Sequence, residues 1–68
     1  MKEGDLVMFK DTGTYAKWFF GRFAKVVSCS YNSRGELHCR VKWLEPVKYF
    51  EMFATVSDFS ADKFEVCS

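Results

Sequence analysis

The sequence has few of the residues that break or bend a chain, with one proline and four glycines, and it has one histidine among 68 residues. Ten Lys and Arg residues nearly balance nine Asp and Glu residues, which leaves a formal net charge of +1. Dedicated non-specific nucleic-acid binders carry a much larger basic excess, so charge alone predicts no such function. No apolar run approaches the roughly 20 residues of a membrane-spanning helix, so we expect no membrane association.

Aromatic and apolar residues are abundant instead. Hydrophobic residues make up 49% of the chain, and eight Phe, three Tyr and two Trp give an aromatic content of 19%. Aromatic side chains bury the most area per residue, so this composition excludes a disordered or low-complexity chain. The length suits one small domain over residues 1–68 and is too short for an ordinary large enzyme scaffold.

The three cysteines, Cys29, Cys39 and Cys67, lack the C-x₂-C spacing of a zinc site, so the sequence predicts no bound metal. Two interpretations of Cys29 and Cys39 stay open: separate buried thiols, which we favour, or a pair facing each other across a hairpin. The first five residues contain no apolar signal segment. Together these features predict a reduced, soluble protein of the cytoplasm.

The first half of the chain predicts two strands separated by a long loop. Residues 4–10 form an apolar, strand-sized run, and residues 11–14 have the composition of a turn. Residues 15–20 are aromatic without clear periodicity, which favours an ordered loop. Residues 22–31 predict a second strand, and their broken alternation predicts a β-bulge near Ala24 and Lys25.

The centre of the chain predicts a β-hairpin. Asn32-Ser33-Arg34-Gly35 is the strongest turn signal in the sequence. The strand after it alternates between two faces, with Leu37, Cys39, Val41 and Trp43 on one and His38, Arg40 and Lys42 on the other. We expect Trp43 to pack in the core with Val7, Val41, Phe64 and Val66. Glu45-Pro46 is predicted to end the strand, because proline cannot donate a hydrogen bond to a sheet.

The last third predicts a loop, two short strands and a turn between them. Residues 47–56 favour a loop followed by a strand, and residues 57–62 favour a single 3₁₀ turn around Phe59. Asp58 and Asp62 are interpreted as caps of that turn. Residues 63–66 alternate as a final strand. Five short strands without a long helix predict an all-β domain that forms a small closed or half-open barrel.

Several of these segments resemble the SH3-like small β-barrels, a plan shared by Tudor, chromo-like and KOW domains. The matching segments are Gly4-Asp5-Leu6-Val7, Gly21 before a bulged strand, Val41-Lys42-Trp43-Leu44-Glu45-Pro46, Phe59, and Phe64-Glu65-Val66. The chain is also similar to short stand-alone proteins of tailed bacteriophages that start near K-x-G-D-x-V and end near L-E-V. The resemblance implies a five-stranded barrel with a long first loop, a 3₁₀ turn before the last strand, and a location in the host cytoplasm.

No residue pattern predicts catalysis. The single histidine, His38, lies on the polar face of its strand beside Arg40 and Lys42, which is typical of a solvated surface residue. The four glycines are dispersed among turns and form no phosphate-binding loop. We therefore expect no catalytic residues, no cofactor and a non-enzymatic function.

Aromatic residues in two loops predict a binding surface. Alternate connections of an up-and-down sheet emerge at the same end, so the loops after the first and third strands should be neighbours. The predicted partner-binding residues are Tyr15, Trp18, Phe19, Tyr49 and Phe50. They would contact a host or viral protein or a second copy of the chain. A narrower hypothesis is a Tudor-like aromatic cage for a methylated cation. The alternative is that Trp18, Phe20 and Phe53 fold back and fill the barrel.

A competing hypothesis is weak nucleic-acid binding. The candidate phosphate-contacting residues are Arg22, Lys25, Arg40, Lys42 and Lys48, with loop aromatics stacking on bases. An ordinary charged, solvated face explains the same residues. Because Glu36, Glu45 and Glu51 are close in sequence and oppose that charge, the protein-binding hypothesis is favoured.

Overall fold

Five antiparallel strands form one sheet in the computed structural model, which describes residues 1–67. The elements are β1 (Leu6–Phe9), α1 (Ala16–Phe19), β2 (Phe23–Tyr31), β3 (Leu37–Tyr49), β4 (Met52–Ser60), a 3₁₀ turn (Ala61–Lys63) and β5 (Phe64–Val66). The strand order is β4-β3-β2-β1-β5, so β4 and β5 are the edges of an open sheet. The predicted all-β class and five strands are confirmed. No helix within residues 1–67 is long and apolar enough to cross a membrane.

The β2–β3 hairpin is confirmed, and its turn is held by one side chain. The Oδ1 atom of Asn32 accepts hydrogen bonds from the backbone N–H groups of Arg34 and Glu36 at 2.9 and 3.0 Å. Gly35 takes a positive φ of 79°, which residues with a Cβ rarely adopt. The turn residues therefore fix the register of the two central strands.

The predicted bulge exists but lies further along β2. Ala24 and Val26 are both buried and Lys25 is exposed, so alternation is intact where the sequence predicted its break. The register with β3 shifts between Val26 and Ser28, which makes Val27 the extra residue. The placement near Ala24 and Lys25 was wrong because Val26 and Val27 are adjacent and equally apolar, so the sequence does not indicate which of them faces solvent.

The predicted end of β3 at Glu45-Pro46 was also wrong. β3 continues to Tyr49, and its pairing with β4 is irregular between Lys42 and Val47. Pro46 falls in this irregular stretch, where its missing N–H does not interrupt the ladder. Pairing resumes at Val47 opposite Ala54, so residues 47–56 form the arms of a tight hairpin rather than a loop followed by a strand.

The 3₁₀ turn lies before the last strand, as predicted, but it begins later. β4 extends through Ser60, and the turn covers Ala61–Lys63 instead of residues 57–62. Asp58 therefore lies within a strand opposite Arg40 and does not cap the turn. The turn has no side-chain capping hydrogen bond, so the capping role predicted for Asp62 was wrong as well.

Trp43 lies at the centre of the core on the inner face of the sheet. Its ring stacks on Phe19 at a centroid distance of 4.9 Å, and its Nε1–H donates to the Ser57 hydroxyl at 2.9 Å. The buried hydrophobic set is Val7, Phe9, Phe19, Ala24, Val26, Cys39, Val41, Trp43, Val47 and Phe64. Val66, which was predicted to pack there, is exposed, although it lies opposite the buried Val7 on the edge strand β5.

Cys29 and Cys39 are bonded to each other. They lie directly opposite in the β2–β3 pair with a Cα–Cα distance of 4.1 Å and form a disulfide. The favoured interpretation of two separate thiols was wrong, and the hairpin alternative is the observed one. Cys67 remains as a free, exposed cysteine.

Candidate functional site

Aromatic side chains from two distant segments meet at one end of the sheet. Tyr15 and Trp18 come from the β1–β2 connection, and Tyr49 and Phe50 come from the β3–β4 turn. We call these four residues the aromatic tip. Trp18 lies 4.7 Å from Tyr49 and 4.8 Å from Phe50 between ring centroids, and Tyr15 lies 6.1 Å from Tyr49. The predicted proximity of the two loops is confirmed.

The segment predicted as a loop at residues 15–20 contains a single helical turn that positions two of these rings. Asp11 holds the chain before the helical turn: it accepts a hydrogen bond from the Gly13 N–H at 3.1 Å and forms an ion pair with Lys63 at 3.3 Å. Gly21, at a φ of 78°, ends the turn. Because consecutive residues of a helix point in different directions, Trp18 faces the tip while Phe19 faces the core.

Phe19 is part of the core rather than of the surface. Its side chain is only 2% exposed and packs on Trp43 and Phe9. Phe19 was predicted to bind a partner, but it is buried and instead packs against Tyr15 and Tyr49 of the aromatic tip. Phe20 and Phe53, which the alternative placed inside the barrel, are both exposed, so that alternative is wrong for these two residues.

The rings of the aromatic tip contact each other and do not surround a space. Tyr49 and Phe50 are 4.6 Å apart, comparable with their distances to Trp18. The ammonium of Lys17 already lies 4.4 Å from the centroid of the Trp18 ring. A methylated cation would have to bind between ring faces at about 6 Å or less from each centroid. The observed arrangement fits a continuous contact surface better than a cage.

The surroundings of Tyr49 in the tip favour its neutral form. Partial burial, together with the neighbouring Tyr15, raises the pKa of Tyr49 above its ordinary value of 10.0. The Tyr49 hydroxyl therefore remains protonated and can donate a hydrogen bond. Tyr15 is 41% exposed and Phe50 is 63% exposed, so aromatic carbon and a hydroxyl group are presented together.

Phe50 has an unusual backbone conformation. Its φ is 57°, and it is the one non-glycine residue within residues 1–67 with a positive φ. Glycine or asparagine adopts this conformation at lower cost, whereas a bulky residue there is uncommon and strained by about 1–2 kcal/mol. The turn thus holds an exposed phenyl ring at a position where folding alone favours glycine.

Three of the five predicted cationic residues, Lys25, Arg40 and Lys42, lie together on the outer face of the sheet, and one of them is already paired. Arg40 is engaged by Asp58 through two hydrogen bonds of 2.9 and 3.2 Å, which lower the pKa of Asp58 and raise the pKa of Arg40. Lys25 and Lys42 lie directly opposite each other on the outer face. The other two candidates lie elsewhere: Lys48 is paired with Phe53, and Arg22 borders a separate cleft.

A groove along β4 was not predicted from the sequence. Its volume is about 420 Å³, and it is lined by Tyr15, Phe19, Tyr49 and the consecutive residues 52–59. Residues 47–56 were predicted as a loop followed by a strand, and the strand-forming run Phe53-Ala54-Thr55-Val56 did indicate part of β4. No local signal indicated that this strand is an edge with a groove beside it.

Within residues 1–67, no group of three or more His, Cys, Asp or Glu side chains is arranged to hold a metal ion. Comparison with known protein families, curated proteins and solved structures gave no match. No relative therefore supplies a function for this chain, and its own surfaces are the basis for one.

Proposed function

We propose that this chain is a non-enzymatic binding module of the SH3-like barrel type, which contacts a host or viral protein through the aromatic tip. A small accessory protein of a bacteriophage, acting in the host cytoplasm, fits the resemblance noted in the sequence. The five-stranded antiparallel sheet, with a long first connection and a 3₁₀ turn before β5, is compatible with that fold.

The conformation of Phe50 is the observation that carries the proposal. A strained, exposed aromatic residue in a tight turn lowers stability and solubility, so its presence favours a role outside folding. Trp18 and Tyr49 pack around the ring and hold it in place at 4.8 and 4.6 Å. Rigid aromatic anchors of this kind commonly dominate the energetics of protein interfaces.

A protein partner suits the tip better than a nucleic acid does. Cationic groups that contact phosphates would have to lie beside the rings, and Lys17 is the one whose contact with a ring is observed. Arg40 is bound to Asp58, and Lys25 and Lys42 lie on the outer face of the sheet. The partner surface that complements the tip most completely is mostly apolar and carries one acceptor for a hydrogen bond from the Tyr49 hydroxyl.

The test is capture of a partner from bacterial lysate by the tagged chain and its Trp18→Ser/Tyr49→Ser variant. We expect the double variant to keep its circular dichroism spectrum and to lose partner capture, with a lowered melting temperature because both side chains are half-buried against the core. The matched control is Phe23→Ser/Tyr31→Ser, which removes two exposed aromatic rings outside the tip and should leave capture unchanged.

Phe50→Asn keeps the test informative if the double variant unfolds. Asparagine tolerates a positive φ, so this variant should fold while losing the exposed ring. Retained capture by Phe50→Asn and by a folded double variant would refute the proposal. The binding surface would then have to be sought around Arg40.

A further inference from the structure

The two edges of the sheet differ in their protection against pairing with another strand. β5 has only three residues, one of which is the charged Glu65. β4 has nine residues and contains no proline, lysine or arginine. Natural proteins keep edge strands short, or place charges and prolines on them, to prevent association. β5 is protected in this way, whereas the one charged residue of β4, Asp58, is already bound to Arg40.

The hydrogen-bonding pattern shows which groups of β4 are free. The Val26 N–H donates to the Asp5 carbonyl, on the β1 side, so Val26 and Val41 form a non-hydrogen-bonded pair in the β2–β3 ladder. The short Cα–Cα distance of 4.1 Å at Cys29 and Cys39 is also typical of such a pair. Val41 and Cys39 therefore direct their backbone groups toward β4.

It follows that Ser57 and Phe59, the partners of Val41 and Cys39, use their backbone groups to bond β3. The residues that alternate with them, Val56, Asp58 and Ser60, direct their N–H and C=O groups away from the sheet. Within residues 1–67, no other strand pairs with this side of β4, and no backbone hydrogen bond from outside the sheet reaches it. Three consecutive hydrogen-bonding positions are thus available to an added strand.

We propose that this chain forms a homodimer in which β4 pairs antiparallel with β4 of a second copy. A two-fold axis places the same strand on both sides, so the free N–H and C=O groups of each copy meet those of the other. The register that aligns all three free positions is centred on Asp58, and the charge of each Asp58 is compensated by its own Arg40 at 2.9 Å. Val56 of each copy then faces Ser60 of the other, so no uncompensated charge lies on the paired edge.

An exposed apolar side chain of β4 supports the same occupant. Val56 is exposed in the single chain, and pairing would cover part of it with the equivalent strand. The groove beside β4 leaves room for this approach. The contact uses the backbone of β4, whereas the proposed partner site uses the rings of the aromatic tip, so the two proposals can fail separately.

Sedimentation equilibrium tests the dimer, with Cys67→Ser as the background so that no dimer forms through the free thiol. We expect a reversible dimer with a dissociation constant below about 1 mM. Val56→Lys places a charge beside the free edge and should weaken the dimer by about tenfold or more. Leu44→Lys is the matched control, because Leu44 is similarly exposed on β3, an interior strand: 56% against 48% for Val56. Leu44→Lys should leave dimerisation unchanged.

Amide hydrogen exchange locates the contact. As protein concentration rises, exchange at Val56, Asp58 and Ser60 should slow, whereas Ser57 and Phe59 should be protected throughout. A chain that stays monomeric at about 1 mM overturns the proposal. So does a dimer whose three outward amides exchange as in the monomer, or one that Val56→Lys and Leu44→Lys weaken equally. Trp18→Ser/Tyr49→Ser should still dimerise even if it captures no partner.

Discussion

Reduction of the disulfide between Cys29 and Cys39 should destabilise the domain substantially. The bond joins residues ten positions apart in sequence, on either side of the β2–β3 turn. Removing a cross-link that closes a loop of this length restores chain entropy to the unfolded state worth about 3 kcal/mol. The two thiols would remain packed as small apolar groups, so little else in the native state changes.

That loss is a large part of what a domain of this size possesses. At about 0.05–0.15 kcal/mol per residue, 68 residues give an unfolding free energy of roughly 3–10 kcal/mol. Each kcal/mol shifts the melting temperature of a small domain by about 4–8 °C, so a loss of about 3 kcal/mol on reduction should lower it by roughly 12–24 °C. The cytoplasm keeps most thiols reduced, so a protein acting there, as we propose, works in its reduced and less stable form.

The assay is thermal unfolding followed by circular dichroism, with and without a phosphine reductant, in the Cys67→Ser background. Thiol titration should find no free thiol in the oxidised protein and two after reduction. The Cys29→Ser/Cys39→Ser variant should have a melting temperature near that of the reduced protein, and the reductant should not change it. This variant controls for effects of the reductant on other groups. A change of less than about 3 °C on reduction would refute the entropic reasoning.

Two further predictions address the core and the cationic face. Trp43→Ala should cost about 3–5 kcal/mol, because it removes a buried ring and leaves the Ser57 hydroxyl without its donor; a melting temperature within a few degrees of the parent would contradict this. Oligonucleotides titrated at low salt should shift the amide resonances of Lys25 and Lys42 more than that of Arg40, which is bound to Asp58. Binding should vanish near physiological salt, and sub-micromolar affinity there would instead support the nucleic-acid hypothesis.

The parts of the fold that were predictable from sequence are those that local signals determine. The alternation from Leu37 to Trp43 requires one buried face whatever the strand pairs with, and Asn32 and Gly35 specify the turn before it. Gathering Trp18 and Tyr49 at one end required only the order of the strands. These predictions depend on neighbours in sequence or on the simplest up-and-down connection.

The errors arose where pairing between distant residues decides the outcome. Whether Val26 or Val27 is the residue that leaves the ladder depends on its register with β3. Pro46 is tolerated because β4 is irregularly paired at that point, which no local rule anticipates. Likewise, Phe19 and Phe20 are adjacent aromatic residues, and only the packing of Phe19 on Trp43 determines which one is buried.

The β3–β4 hairpin was the largest error, and its surfaces are the two for which we propose functions. A half-buried strand selected only for folding alternates cleanly, whereas Met52 and Phe53 are both exposed and apolar, and Phe50 occupies a position suited to glycine. Local preference and global fold disagree at these residues. Natural sequences tolerate such conflicts mainly where contacts with another molecule compensate for them. The failure of sequence-based reasoning at this hairpin is therefore a physical argument for binding there, independent of the exposure of any one ring.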